Sequence, residues 1–173
     1  MEIRLCKEAD IDCVGEFYDR VVSWLEAHIN YPKWEYKVYP SKDFVIEKTK
    51  DKTLYVCFDK EQIVGAFVLN NDPQGDYQKG DWSIQLEDGE YLVIHSLAIA
   101  PEAQGQGLGK QVIDYCINEA KRLGYPAIRL DVVPDNIPAK KLYEKNGFTY
   151  FGDYDLGRGI EEIPEFSLYE LNI

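Results

Sequence analysis

The stretch Leu97-Ala98-Ile99-Ala100-Pro101-Glu102-Ala103-Gln104-Gly105-Gln106-Gly107-Leu108-Gly109-Lys110 decides how this chain is to be read. An apolar strand pattern ends at Pro101, a loop with glycines at 105, 107 and 109 follows, and a helical pattern begins at Leu108. Such a junction gathers backbone N–H groups and the positive end of a helix dipole at one spot, where phosphates bind. Two familiar phosphate loops do not fit. A P-loop needs G-x-x-x-x-G-K-[ST], whereas Gly109-Lys110 is preceded at the required place by Gln104 and followed by Gln111. The dinucleotide fingerprint G-x-G-x-x-G fails because the three glycines are spaced by two.

Outward from this loop, the spacing predicts strands and helices in regular succession. Upstream, Tyr91–Ile99 is an apolar strand, and Thr53–Asp59 and Ile63–Leu69 form a hairpin. Ile3–Cys6 is a first strand. Asp10 caps a helix with its stripe at Ile11, Val14, Tyr18, Val21, Val22, Leu25 and Ile29, and Ser41 caps a short helix to about Lys50. Asn70–Asp88 is turn-rich and is expected to be a surface loop or a ragged strand. Downstream, Leu108, Val112, Ile113, Cys116, Ile117, Ala120 and Leu123 make a second helical stripe stopped by Gly124. Ala127–Val133 is a buried strand, and Asn136–Asn146 is a helix with Pro138 in its first turn and Gly147 just past its end. Phe148–Tyr154 and Glu165–Leu171 finish as strands. This order predicts a mixed α/β (α+β type) sheet with helices on its faces, in a single domain over 1–173.

Gln104, Gly107 and Gly109 fit the pattern Q-x-x-G-x-G, which resembles the acetyl-CoA pyrophosphate loop of the GNAT (general N-acetyltransferase) superfamily. His95-Ser96-Leu97-Ala98-Ile99-Ala100-Pro101 looks like the family's fourth strand, and Asn136 to Phe148 resembles its second signature, an Asn, then Ala, Leu-Tyr and Gly-Phe. The close match covers about residues 91–150. The resemblance implies a mostly antiparallel sheet in which the strands Tyr91–Ile99 and Ala127–Val133 splay apart to admit the pantetheine arm. It implies that acetyl-CoA is held by backbone groups of Leu97, Ala98 and Ile99, by Gln104, Gly105, Gln106, Gly107, Leu108, Gly109 and Lys110, and by Asn136. Donors near Leu97 and Ile99 would face the developing oxyanion, a contribution of roughly 3–4 kcal/mol per donor in other acyl-transfer sites. Many relatives carry a cation within the loop. Gln106 is neutral, and Lys110 would supply part of that charge.

The same resemblance places Tyr143 as the acid that protonates the departing thiolate; the competing reading is an ordinary packed aromatic in a chain with 13 tyrosines. Asn136 would contact the CoA arm, cap its helix, or do both. A protonated amine must lose a proton before it attacks, and His is the side chain whose ordinary pKa lies near neutrality. Alternation puts Tyr91, Val93, His95, Leu97 and Ile99 on one face, and relatives often place a base on it at Val93 or His95. His95 is therefore the candidate base. A buried core histidine, Glu90, or a water chain ending on a loop carboxylate are the alternatives. Trp24, His28, Tyr31, Trp34, Tyr36 and Tyr39 would form a wall of the acceptor pocket or cover the sheet. Lys48, Lys50 and Lys52 form a solvated face.

Composition bounds the rest. With 45% hydrophobic and 13% aromatic residues the chain has apolar surface enough to fold. A net charge of −12 opposes duplex nucleic acid as a partner and mildly favours a cationic one. Cys6, Cys13, Cys57 and Cys116 lack metal-ligand spacing and are expected as free buried thiols, with no metal site. No leader segment or membrane span is expected, and the chain reads as cytoplasmic. The expected function is acetyl transfer from acetyl-CoA to a primary amine of a small molecule or peptide, by direct attack in a ternary complex. A catalytically silent acyl-CoA-binding module is the alternative, and a homodimer is supported only by analogy with relatives.

Overall fold

The computed structural model describes residues 1–173. Seven strands form one sheet in the order β1-β2-β3-β4-β5-β7-β6. They are β1 (Glu2–Leu5), β2 (Leu54–Asp59), β3 (Gln62–Asn70), β4 (Leu92–Ile99), β5 (Ala127–Val132), β6 (Thr149–Tyr154) and β7 (Phe166–Asn172). The helices are α1 (Ile11–Ala27), α2 (Lys42–Lys50), α3 (Leu108–Leu123) and α4 (Ile137–Lys145). Pairing is antiparallel for β1–β2, β2–β3, β5–β7 and β6–β7, and parallel for β4–β5, where Leu92 faces Ile128 and Val93 faces Arg129. The mixed sheet expected from the element order is thus present, and it is mostly antiparallel as the resemblance implies. No helix is long and apolar enough to cross a membrane.

The chain divides into two compact units. The first comprises Met1–Leu69 and His95–Val112, the second Asn70–Ile94 and Ile113–Ile173. In the first, α1 buries Val14, Phe17, Tyr18, Val21 and Val22, close to the stripe drawn from spacing. Ile29 lies beyond the helix end and is exposed. Ser41 caps α2 as expected, its hydroxyl accepting the Phe44 N–H. Asp10 precedes α1 but does not cap it. Its carboxylate instead accepts the Lys7 N–H at 2.8 Å and pairs with the Arg4 guanidinium at 2.6 and 3.0 Å, and this partner holds the Asp10 carboxyl below the ordinary range. With its oxygens engaged by the guanidinium and by the Lys7 N–H, the carboxylate makes no capping bond to the first turn of α1.

In the second unit, the segment between β3 and β4 is a largely exposed loop without a strand, as expected, but two of its aromatics, Tyr77 and Trp82, are buried. A 3-10 turn at Tyr77–Lys79 carries Tyr77 into a core with Trp82, Tyr91, Val93, Leu156, Phe166 and Leu168. The aromatics outweigh the polar turn residues around them, because each buries a large apolar surface. Three of the four cysteines are buried; Cys13 is exposed, a departure from the expectation of four buried thiols. Lys48 departs as well, its side chain being 12% exposed and paired with Glu47 at 2.7 Å.

Candidate active site

The glycine loop lies in the first unit. Pro101–Ala103 forms a 3-10 turn, the Gln104 N–H donates to the Pro101 carbonyl at 3.3 Å, and the Gln106 side-chain amide donates to the Glu102 carbonyl at 3.2 Å. Gly105 and Gly107 both have left-handed backbone, φ +76° and +77°. The Gln111 N–H donates to the Gly107 carbonyl at 3.2 Å, so Gly107 is the residue on which α3 starts. Leu108, Gly109 and Lys110 form the first turn, whose N–H groups run along the helix axis toward the loop. A Cβ built on Gly105 or Gly107 meets no heavy atom within 4 Å. The space over the loop is therefore open, and only the positive φ and whatever occupies that space demand glycine.

The end of β4 is built by close approach. A Cβ on Gly65 of β3 would come within 3.1 Å of the Ala98 carbonyl oxygen and of Ile99 Cδ1, so glycine at 65 lets the backbones meet. The Ala100 N–H donates to the Val64 carbonyl at 2.9 Å. Ala98 is buried, while His95, Leu97 and Ile99 are half-buried.

One expectation about this strand fails. Ser96 has φ +51°, the left-handed region, inside an otherwise extended strand. Strict alternation requires uninterrupted extended backbone, so Leu97 and Ile99 do not follow His95 on one face by period two. A non-glycine residue held there costs about 1–2 kcal/mol, met by the contacts that fix it. The Tyr18 hydroxyl donates to the Ser96 carbonyl at 2.9 Å, and the Tyr39 hydroxyl lies 2.5 Å from Ser96 Oγ. Neither Ser96 nor Tyr18 stands out as a site residue in the sequence, because serine has no marked preference for this conformation.

The aromatic stretch after α1 splits. Trp34 and Tyr39 pack edge-on with Tyr18 and Phe44. Trp24 and His28 stack on each other with ring centroids 4.3 Å apart and are exposed. Glu90, the alternative base, is exposed, and its carboxylate accepts the Glu87 N–H at 2.8 Å.

Asn136 and Tyr143 lie in the second unit. Asn136 caps α4, its side-chain oxygen accepting the Ala139 N–H at 3.2 Å. Tyr143 is buried, with Phe148 and Tyr169 rings at 5.4 and 6.4 Å. Burial pushes its phenol well above the ordinary value, and Cys116 and Asp131 push the same way. Such a hydroxyl keeps its proton across the physiological range, and the same shift makes it a weaker acid.

Sequence reasoning missed a buried ion pair in this unit. The Arg129 side chain on β5 is fully buried, donates to Glu170 of β7 at 2.9 Å and to the Ile84 carbonyl at 2.8 Å, and lies 4.3 Å from the Trp82 ring and 4.2 Å from Tyr91. Glu170 also accepts from the Ser83 N–H at 3.1 Å and the Ser83 hydroxyl at 2.5 Å. Asp131, two residues on, accepts from Tyr77 at 2.5 Å and from both terminal nitrogens of Arg158 at 2.6 and 2.8 Å.

The profile of the Acetyltransferase (GNAT) family matches residues 17–148, a span that contains the glycine loop, the kinked strand and Tyr143. The chain belongs to this family. It is 27% identical over 154 residues to the L-methionine sulfoximine/L-methionine sulfone acetyltransferase of Salmonella typhimurium, covering 86% of this chain and 80% of that one. It is 34% identical over 95 residues to the mycothiol acetyltransferase of Geodermatophilus obscurus, a match covering 55% of this chain and only 28% of that enzyme. Among solved structures, a GNAT acetyltransferase from Streptococcus agalactiae superposes with TM-score 0.80 at 19% identity, over 99% of this chain and 95% of that one. The Salmonella typhimurium protein yncA, determined with its cofactor acetyl-CoA, superposes with TM-score 0.70 at 18% identity, over 99% and 93%. This GNAT-family chain is an acyltransferase.

Proposed function

We propose that this GNAT-family protein transfers an acetyl group from acetyl-CoA to a primary amine of a small molecule or peptide, by direct attack in a ternary complex. The observation that carries the reading is the open cradle at Gly105 and Gly107 against the start of α3. Its left-handed glycines and the first-turn N–H groups suit a pyrophosphate, and a side chain at 107 would take up the space that phosphate needs. The residues that would hold the group are Gln104 to Lys110, the β4 backbone at Leu97, Ala98 and Ile99, and Asn136, whose capping bond to Ala139 leaves its amide nitrogen for a second partner. Bound acetyl-CoA supplies an activated acetyl thioester.

The chain's own residues do the rest. His95, half-buried in β4, takes the proton that the ammonium form of the acceptor must lose. Tyr143 gives its proton to the departing sulfur, and its burial keeps that proton in place beforehand. Two relatives matched over 86% of this chain are named for amino-acid acceptors, the second being the L-amino acid N-acyltransferase MnaT of Escherichia coli, 25% identical and covered over 80% of its length. Their names favour a small amino-acid-like amine.

Acetyl-CoA is expected to raise the melting temperature, by about 2.7 kcal/mol of stabilisation at one hundred times its dissociation constant. Gly107→Val, a β-branched residue at positive φ in the phosphate's place, should fold less stably and lose the shift. Thermal melts with and without acetyl-CoA decide this, and a full shift in the variant removes the loop from the site. Thiol release with a panel of L-amino acids and aliphatic amines tests the transfer itself. A shift without release on any amine leaves a silent acyl-CoA-binding module.

A further inference from the structure

We infer that Tyr39, with Tyr18, is a positioning residue for acyl transfer: the two hydroxyls clamp Ser96 in its left-handed conformation and so aim the last residues of β4. The inference rests on the acyl-transfer reading above, which gives the Leu97 and Ile99 backbone its role.

The kink sits in the middle of the strand that leads to the glycine loop. Every residue after it inherits the direction that the Ser96 backbone sets. A serine has no intrinsic reason to stay at φ +51°. Two bonds from different parts of the chain keep it there. Tyr18 comes from α1 and holds the Ser96 carbonyl at 2.9 Å; Tyr39 comes from the α1–α2 connection and meets Ser96 Oγ at 2.5 Å.

The hydroxyls are themselves held. The Tyr39 ring packs edge-on to Phe44 at 5.2 Å and to Trp34 at 6.2 Å, and the Tyr18 ring packs edge-on to the same two residues at 6.2 and 6.1 Å. Both phenols are thus fixed between an indole and a phenyl ring, and neither can follow Ser96 if the strand straightens. Burial raises the Tyr18 phenol well above its ordinary value, so it stays a donor to the carbonyl. Backbone donors that face a reacting oxygen act only if they are in place before the reaction, and small misplacements cost rate without costing binding. The clamp meets that need with two hydroxyls that act through Ser96.

The test is steady-state thiol release with acetyl-CoA and the best acceptor from the amine panel, on the full chain. Tyr39→Phe removes one hydroxyl and keeps the ring stack. Its kcat should fall between about tenfold and a hundredfold, the range for small misalignment, while KM for acetyl-CoA stays within about twofold because the phosphate loop is untouched. Ser96→Ala should do the same. The double variant should be no worse than either single change, since both delete the same bond. Hydrogen exchange of the peptide spanning Ser96 to Ala100 should quicken in Tyr39→Phe. An unchanged kcat, a fall confined to KM, or additive losses in the double variant would overturn the inference. If the wild type binds acetyl-CoA but transfers to no amine, the transfer reading fails by itself. Exchange then judges the clamp separately, and an unaltered rate in Tyr39→Phe removes it.

Discussion

In the proposed transfer Tyr143 is the acid and His95 the base, and each role makes a separable forecast. Tyr143→Phe deletes one hydroxyl from a buried ring packed on Phe148 and Tyr169, so folding and acetyl-CoA binding should be nearly unchanged. Turnover should drop by roughly 10²–10⁴, the usual range for a positioned general acid, as read by thiol release. The sign of the pH dependence follows from burial: the phenol is raised, its protonated form is the active one, and no loss of rate from its ionisation should appear up to about pH 10. For His95 the forecast is an ascending limb in kcat/KM against pH that belongs to the imidazole. In His95→Gln that limb should vanish, leaving the rise set by the acceptor amine itself. A limb that persists would return His95 to the strand as a packing residue. The helix that carries Tyr143 was legible because Asn136, Pro138 and Gly147 frame it in the sequence. The Ser96 kink was not, because φ at that position is set by Tyr18 and Tyr39, 78 and 57 residues away.

At the scale of elements, periodicity carried far. The boundaries of α3 coincide with its apolar stripe from Leu108 to Leu123, and the strands fall within a residue or two of their apolar runs. What periodicity could not convey is which strand lies beside which. β7 sits between β5 and β6, and the partners Arg129 and Glu170 are 41 residues apart. A charge inside a strand looks like an interruption until its partner is known. Here it joins three elements: β5 through Arg129, β7 through Glu170, and the segment before β4 through Ser83 and Ile84. Glu170→Gln keeps the shape but leaves a buried guanidinium without its counter-charge. The expected loss is about 3–5 kcal/mol in chemical denaturation, the usual result of removing one partner from a buried pair. A loss below about 1 kcal/mol, the range of exposed pairs, would mean that the backbone and ring contacts of Arg129 are sufficient alone.

Across the whole molecule, the family profile spans residues 17–148, and β7 lies outside it. Yet β7 pairs with β5 along Ala127–Val132 and with β6 at both of its ends. That placement has a consequence for synthesis. A ribosome makes β5 well before β7, at roughly 5–20 residues per second. During that interval β5 presents a row of unpaired backbone groups and an unneutralised Arg129, while β6 has no partner at all. The second unit can close only when residues 166–172 clear the exit tunnel. Nascent chains stalled just before and just after that point should differ sharply in resistance to a protease, whereas Met1–Leu69 should differ little between them. Equal resistance at Ala127–Tyr154 in both would show that another strand or a chaperone guards the open edge first.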